Sequence, residues 1–251
     1  MKKKLAASAA TVADVVKAIP RGAKQHAGVA RIIFLSMLTG VIAGLGAIVF
    51  FALLELVRHV CMDVVAGYRP AGPLGEPPLL GHTASEFKRW LLLLLPGLGG
   101  LVTGYIVFKF APEAEGHGTD AAIDSYHHKG CKVRARVPFI KTLASAITIG
   151  TGGSAGREGP IAQIGSGFSA LLADRLKLGA RERRILFLAG MAGGVGAIFH
   201  APIAGALFSA EVLYRDLDFE YEAIIPSAVS SIIAYSLFSL VYGWEPLFVT
   251  P

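Results

Sequence analysis

Residues 150–160 read Gly150-Thr-Gly-Gly-Ser-Ala-Gly-Arg-Glu-Gly-Pro160, an acid and a base set among glycines where two apolar segments meet. Around this stretch the chain reads as membrane, and that makes the carboxylate expensive. On insertion scales an ionised side chain at bilayer depth costs roughly 2.5–3.5 kcal/mol, so Glu158 should face protein or a water-filled cavity rather than lipid. The glycines allow a close approach of backbone. Pro160, with its preset φ and no N–H, suits the first turn of a new helix whose free N–H groups and positive dipole end point back towards Glu158. Such a helix end is an anion site, here with a carboxylate beside it.

Composition supports the membrane reading. The 251 residues are 53% hydrophobic and 17% charged, with a mean hydropathy of +0.57. Residues 32–57 form a run of 26 with Glu55 as the only charge, and residues 223–243 form a run of 21 with none. Both are long enough to cross a hydrocarbon core of roughly 30 Å. Residues 90–108 are apolar but carry Pro96 and four glycines, while 138–150, 160–173, 185–199 and 201–213 are short, glycine-rich or opened by proline. The pattern predicts an all-α, multi-pass membrane protein with short, broken and re-entrant helices.

A net charge of +6 invites a nucleic-acid reading, but the basic residues lie between apolar spans and not on one periodic face. No nucleic-acid partner is expected. Seven Lys/Arg up to Arg31, three in 130–136 and five in 175–184 contrast with none in the last nine residues. The positive-inside tendency therefore places the N-terminus, the 112–137 connection and the 175–184 connection in the cytoplasm, with 58–89 as an extended, proline-bearing external loop. The alanine-rich start is read as a retained cytoplasmic segment, residues 1–30, with a helical stripe of Leu5, Val12, Val15, Val16 and Ile19 that suits a membrane surface. Residues 31–245 form one membrane domain and 246–251 its truncated end. Cys61 and Cys131 fall on opposite sides, which argues against a disulfide. No metal-ligand spacing is present and no cofactor is expected.

Crossing parity carries the argument further. If 32–57 goes out, 90–110 returns, 138–150 goes out, 160–174 returns, 185–213 forms a broken pair and 223–243 goes out, the chain ends lie on opposite sides. A following copy would be inserted upside down, the geometry of inverted-repeat transporters whose broken helices meet near the midplane. No second copy lies within the 251 residues, so the chain reads as one half of such a protein.

Three ordered motifs resemble one family: Gly156-Arg157-Glu158-Gly159-Pro160, Ile161-Ala-Gln-Ile-Gly165, and residues 192–199 followed by His200-Ala-Pro-Ile-Ala-Gly205-Ala-Leu-Phe208. The chain resembles the N-terminal half of the CLC chloride channel and chloride/proton antiporter family. The resemblance implies a homodimer in the cell membrane, each subunit with its own pathway for chloride or a similar anion. It makes Glu158 the gate, whose carboxylate occupies an anion position and leaves it on protonation. Gly156, Arg157, Gly159, Pro160 and Ile161 follow as pathway residues. The family's other first-half motif is matched only by the glycines of Gly116-His117-Gly118-Thr119-Asp120, with His117 where serine is usual and Asp120 where proline is usual. A neutral histidine still donates a hydrogen bond and Thr119 can cap the next helix, whereas Asp120 would repel an anion, which leaves selectivity open. Glu211 matches the first of the antiporters' paired inner glutamates and Val212 stands at the second, the proton relay. That implies channel-like conduction, with a chloride/proton antiporter, or a transporter of fluoride or another anion, as the alternative. The second repeat would lie in the same or another chain.

The same residues admit two other classes. Gly152-Gly153-Ser154-Ala155-Gly156 fits the Gly-x-Ser-x-Gly pattern of a serine hydrolase, with His200 as an imaginable base, but its flanks do not predict a strand, turn and helix. Ser154 is read instead as a small polar lining residue, and the glycine run lacks the ending of a phosphate-binding loop. A purely structural membrane subunit remains, because Gly190, Gly193, Gly194, Gly196 and Gly205 permit close packing whether or not an ion passes.

Overall fold

The computed structural model describes residues 21–70, 79–81, 86–214 and 221–245, with side chains from residue 28 onward. The helical stripe expected within residues 1–20 and the end at 246–251 lie outside the described residues. Among the described residues there is no strand. The helices are α1 (Arg21–Arg58), α2 (Arg89–Phe110), α3 (Thr119–His127), α4 (Arg136–Gly150), α5 (Glu158–Arg175), α6 (Ala180–Ile198), α7 (Pro202–Glu211) and α8 (Tyr221–Tyr242). The chain divides into units of residues 1–35 and 36–251. In the first, the described backbone is helical throughout. The packing described below belongs to the second.

Three helical stretches are long and apolar enough to span a membrane: Gly28–Val65, Arg89–Phe110 and Tyr221–Tyr242. Pro96 and Pro226 sit inside α2 and α8 without ending them, as membrane surroundings tolerate. The extended loop expected over 58–89 is shorter than its sequence suggests. α1 runs on through a wider turn, His59–Val65, whose Ala66 amide reaches back five residues to the Cys61 carbonyl. Prolines follow only from Pro70, and Gly67, at φ 65°, ends the helical path.

The predicted breaks fall where residues compel them. Between α4 and α5, Gly152 takes φ 93°. Between α6 and α7, His200 takes φ 52° and Pro202 opens the new helix, where its missing N–H costs nothing.

α6 is the centre of the packing and lies against α5, α7 and α8. Every residue from Ile185 to Ile198 is buried. Glycine makes this possible, because backbones press directly on each other. A Cβ on Gly165 or Gly190 would overlap the other's carbonyl oxygen, and one on Gly194 would lie 2.8 Å from the Ile161 carbonyl oxygen. α1 meets α8 the same way: a Cβ on Gly40 would sit 2.5 Å from the Ser230 carbonyl oxygen and one on Gly44 3.0 Å from the Ala234 Cα. Small residues spaced by four let apolar helices gain dispersion contacts that lipid cannot match. No disulfide joins Cys61 and Cys131.

Candidate functional site

Two segments some forty residues apart meet at the start of α5. Glu158 is the first residue of α5 and Pro160 lies in its first turn. Gly118 precedes α3 with φ 111°, a conformation that favours glycine. A Cβ on Gly118 would lie 2.6 Å from the Gly159 carbonyl oxygen, and one on Gly159 would overlap both the ring and the carbonyl oxygen of His117. The two glycines thus let the 116–118 loop rest on the α5 backbone. A Cβ on Gly156 would overlap the Glu158 carboxylate, so this carboxylate folds back over its own loop.

Gly116, His117, Gly156 and Pro160 line a cavity of about 260 Å³ whose far wall is α2, through Gly100 and Gly104. Glu158 reaches this cavity's edge through Gly156 and is not itself a lining residue. It is exposed and makes no hydrogen bond or ion pair among the described residues. Arg157 is not its partner: the guanidinium lies 5.9 Å from the Phe51 ring centroid and 6.0 Å from that of Phe199. This cation–π seating leaves the carboxylate beside a positive charge that does not hold it. Ile161 is fully buried, and its amide closes the first hydrogen bond of α5 on the Arg157 carbonyl.

His117 is exposed, with Nδ1 3.2 Å from the Thr119 hydroxyl. Thr119 does not cap α3 as its position suggests; it is already the first helical residue, Gly118 holds the cap position, and no side chain caps the helix. The His117 ring engages the hydroxyl instead. Asp120 lies exposed in the first turn of α3.

Reading the sequence missed Lys141. It is 2% exposed, lines the cavity, and its ammonium donates to the Ala114 carbonyl at 3.0 Å and the Gly116 carbonyl at 2.7 Å. No carboxylate among the described residues pairs with it, so a buried cation faces the cavity and ties α4 to the 116–118 loop. The available signal was that Lys141 is the only charge in residues 138–150. Glu115 also lines the cavity and moderates its positive potential.

Val212 is the residue just past α7, half-buried and packed against the apolar core that includes Phe187 and Leu188. Glu211 is exposed. The hydrolase pattern finds no strand: Ser154 lies in a helix–loop–helix connection, and His200 Nδ1 bonds the Glu245 carbonyl at 2.8 Å with its ring against Tyr235 and Phe238.

Residues 99–251 match the family model described as voltage gated chloride channel. Chloride channel protein CLC-e of Arabidopsis thaliana is 29% identical over 221 residues, covering 85% of this chain and 29% of that protein. The H(+)/Cl(-) exchange transporter ClcA of Vibrio cholerae is 28% identical over 226 residues, covering 88% of this chain and 44% of the transporter. Among solved structures, a CLC-type fluoride/proton antiporter superposes with a TM-score of 0.68 at 22% identity, covering 87% of this chain and 48% of that one. The chain spans less than half the length of these relatives.

Proposed function

The chain belongs to the voltage gated chloride channel family, and from that premise we propose that it supplies one half of a transmembrane anion pathway, with chloride as the leading ion and Glu158 as the gate. The observation that carries the reading is the meeting of Gly116–His117–Gly118 with Gly156–Glu158–Gly159 at one helix end, beside a cavity holding the buried Lys141. An anion there gains the free N–H groups of α5 and a cation, and an ionised Glu158 competes for the same place. Protonation ends that competition by removing the charge.

Conduction is channel-like in this reading, because Val212 packs among apolar side chains where a relay would need a titratable group. Coupled exchange is the second reading, favoured by the similarity to the exchange transporter ClcA. The remaining parts of the proposal are a second, inverted repeat, a homodimer, and a cell-membrane location with the N-terminus in the cytoplasm. The test is flux from liposomes carrying the full-length protein, read with an anion electrode and a pH electrode. Glu158→Gln is expected to conduct with a flattened pH response, and the wild type to move anions without tightly coupled protons. A Glu158→Gln protein with the wild-type pH response refutes the gate. Uphill proton movement driven by a chloride gradient refutes channel-like conduction and leaves the exchange reading.

A further inference from the structure

The wide turn His59–Val65 carries a titratable pair. His59 Nδ1 lies 3.1 Å from an Asp63 carboxylate oxygen, with the Asp63 side chain 6% exposed and that of His59 22%. Imidazole is the side chain whose ordinary charge change falls between pH 5 and 8. Charged, it offers Asp63 a charge-assisted hydrogen bond; neutral, it offers an ordinary and weaker one. The pair therefore holds the turn more firmly when the imidazole is charged, and that hold is lost as pH rises. Glu55, Arg58, Tyr68 and Arg69 line the same small cavity as His59 and Asp63, and neither α2 nor α4 contributes to it. Arg58 is held by Glu55 at 2.5 Å, Arg69 donates to the Leu80 carbonyl at 3.4 Å, and Tyr242 of α8 interacts electrostatically with Glu55. Carboxylates, guanidiniums and phenols ordinarily change charge outside the imidazole range.

What the turn touches gives the pair its consequence. A Cβ on Gly152 would lie 3.1 Å from Met62 Cε, and one on Gly150 would lie 2.7 Å from the Val57 Cβ and 3.0 Å from the Arg58 amide nitrogen. The end of α1 and the turn thus bear directly on the end of α4 and the residues just after it. From the other side, a Cβ on Gly99 of α2 would overlap the Thr151 hydroxyl. Residues 150–152 are gripped between α1 and α2, and from them the loop runs to Glu158, whose carboxylate lies over Gly156. The turn is joined to the approach to α2 as well, because the Lys88 amide donates to the Ala66 carbonyl at 2.9 Å. A turn that tightens or slackens therefore acts on the anchored end of the loop that carries Glu158.

We propose that the His59–Asp63 pair is a pH sensor acting on the gate: the charged imidazole tightens the wide turn against Gly150 and Gly152 and steadies the loop in front of α5, and loss of the charge loosens both. This sensor presupposes Glu158 as the gate and adds to it a second titratable group, outside the lining of the anion cavity.

Amide hydrogen exchange on the full-length protein in detergent, between about pH 5.5 and 8 and corrected for intrinsic exchange, reads the turn without reference to transport. The amides of Ala66, Gly67 and Tyr68 bond back to the carbonyls of Cys61, Asp63 and Met62. They should be protected about fivefold more at the acid end, the difference between a charge-assisted and a neutral hydrogen bond. Those of Gly153 and Ala155, bonded to the Thr148 and Gly153 carbonyls, should follow. His59→Gln should abolish the dependence, and His59→Lys, with a cation throughout the range, should keep protection high. Flux from liposomes then reads the gate: His59→Gln should shift the pH response while Glu158 is present and add nothing to Glu158→Gln. Wild-type protection that does not vary with pH, or that varies equally in His59→Gln, overturns the sensor. A turn that responds while Gly153 and Ala155 do not overturns its link to the loop. A His59-dependent change in both segments, with the wild-type pH response of flux retained in Glu158→Gln, removes the gate and leaves the sensor standing.

Discussion

Gly118→Ala separates two reasons for a glycine at the site. Gly118 takes φ 111°, and a Cβ there would meet the Gly159 carbonyl oxygen at 2.6 Å and its carbonyl carbon at 2.9 Å. Gly116 offers the control, with φ 73° and nothing within 4 Å of its Cβ position. Each alanine would hold a positive φ, a strain of about 1–3 kcal/mol. Only at Gly118 does the methyl also collide with backbone, which cannot swing aside as a side chain can, and overpacking of that kind adds about 1–3 kcal/mol. Gly118→Ala should therefore destabilise the protein by about 2–6 kcal/mol, against about 1–3 kcal/mol for Gly116→Ala. Equilibrium unfolding of the full-length protein in mixed micelles measures the difference, with anion flux followed on the same preparations. Flux should fall further in Gly118→Ala, because the Gly159 carbonyl recedes only by drawing the start of α5 away from His117. Equal losses for the two variants, or a milder one at Gly118, would refute the claim that close approach joins these segments.

His117→Ser should alter the relative flux of chloride, nitrate and fluoride in liposomes; identical ratios would make the ring a mere neighbour of Thr119. Lys141→Met should change stability by less than about 2 kcal/mol, since losing two hydrogen bonds and relieving a buried charge oppose each other. Its anion flux should nonetheless drop, and unchanged flux would remove Lys141 from the pathway. On a background lacking Cys61 and Cys131, single cysteines placed in 175–184 and in 58–89 should label from opposite faces of the membrane. Labelling from one face would break the crossing order.

The helix breaks were legible because single residues enforce them. Gly152 supplies a positive φ, Pro202 opens α7, and Pro160 falls in the first turn of α5, all within the motifs that drew attention. The burial of α6 followed from glycines and apolar residues mixed without a polar face. Lys141 was harder to see: its partners are backbone carbonyls 25 and 27 residues away, and no side-chain pattern announces a bond to backbone. The turn at His59–Val65 left no compositional mark, since a hydrogen bond reaching five residues back uses the same side chains as one reaching four. Thr119 misled because capping preference describes an isolated helix end, and here the His117 ring takes the hydroxyl.

The uneven use of glycine has a mechanical consequence. In α6 the space beside each glycine is filled, by the Gly165 and Ile161 carbonyls at Gly190 and Gly194 and by the small side chains of Ser169, Ala43, Ser230 and Ser231 at Gly190, Gly193 and Gly196, so rotation or sliding of this helix meets packed atoms at every one. In α2 the glycines at 97, 100 and 104 have nothing within 4 Å of their Cβ positions. α6 is thus held by packed neighbours, whereas α2 is pressed on its surroundings at Gly99, against Thr151, and open beside Gly97, Gly100 and Gly104. For the function proposed above, motion is expected in side chains such as Glu158 and in α2, with α6 as the frame against which both move.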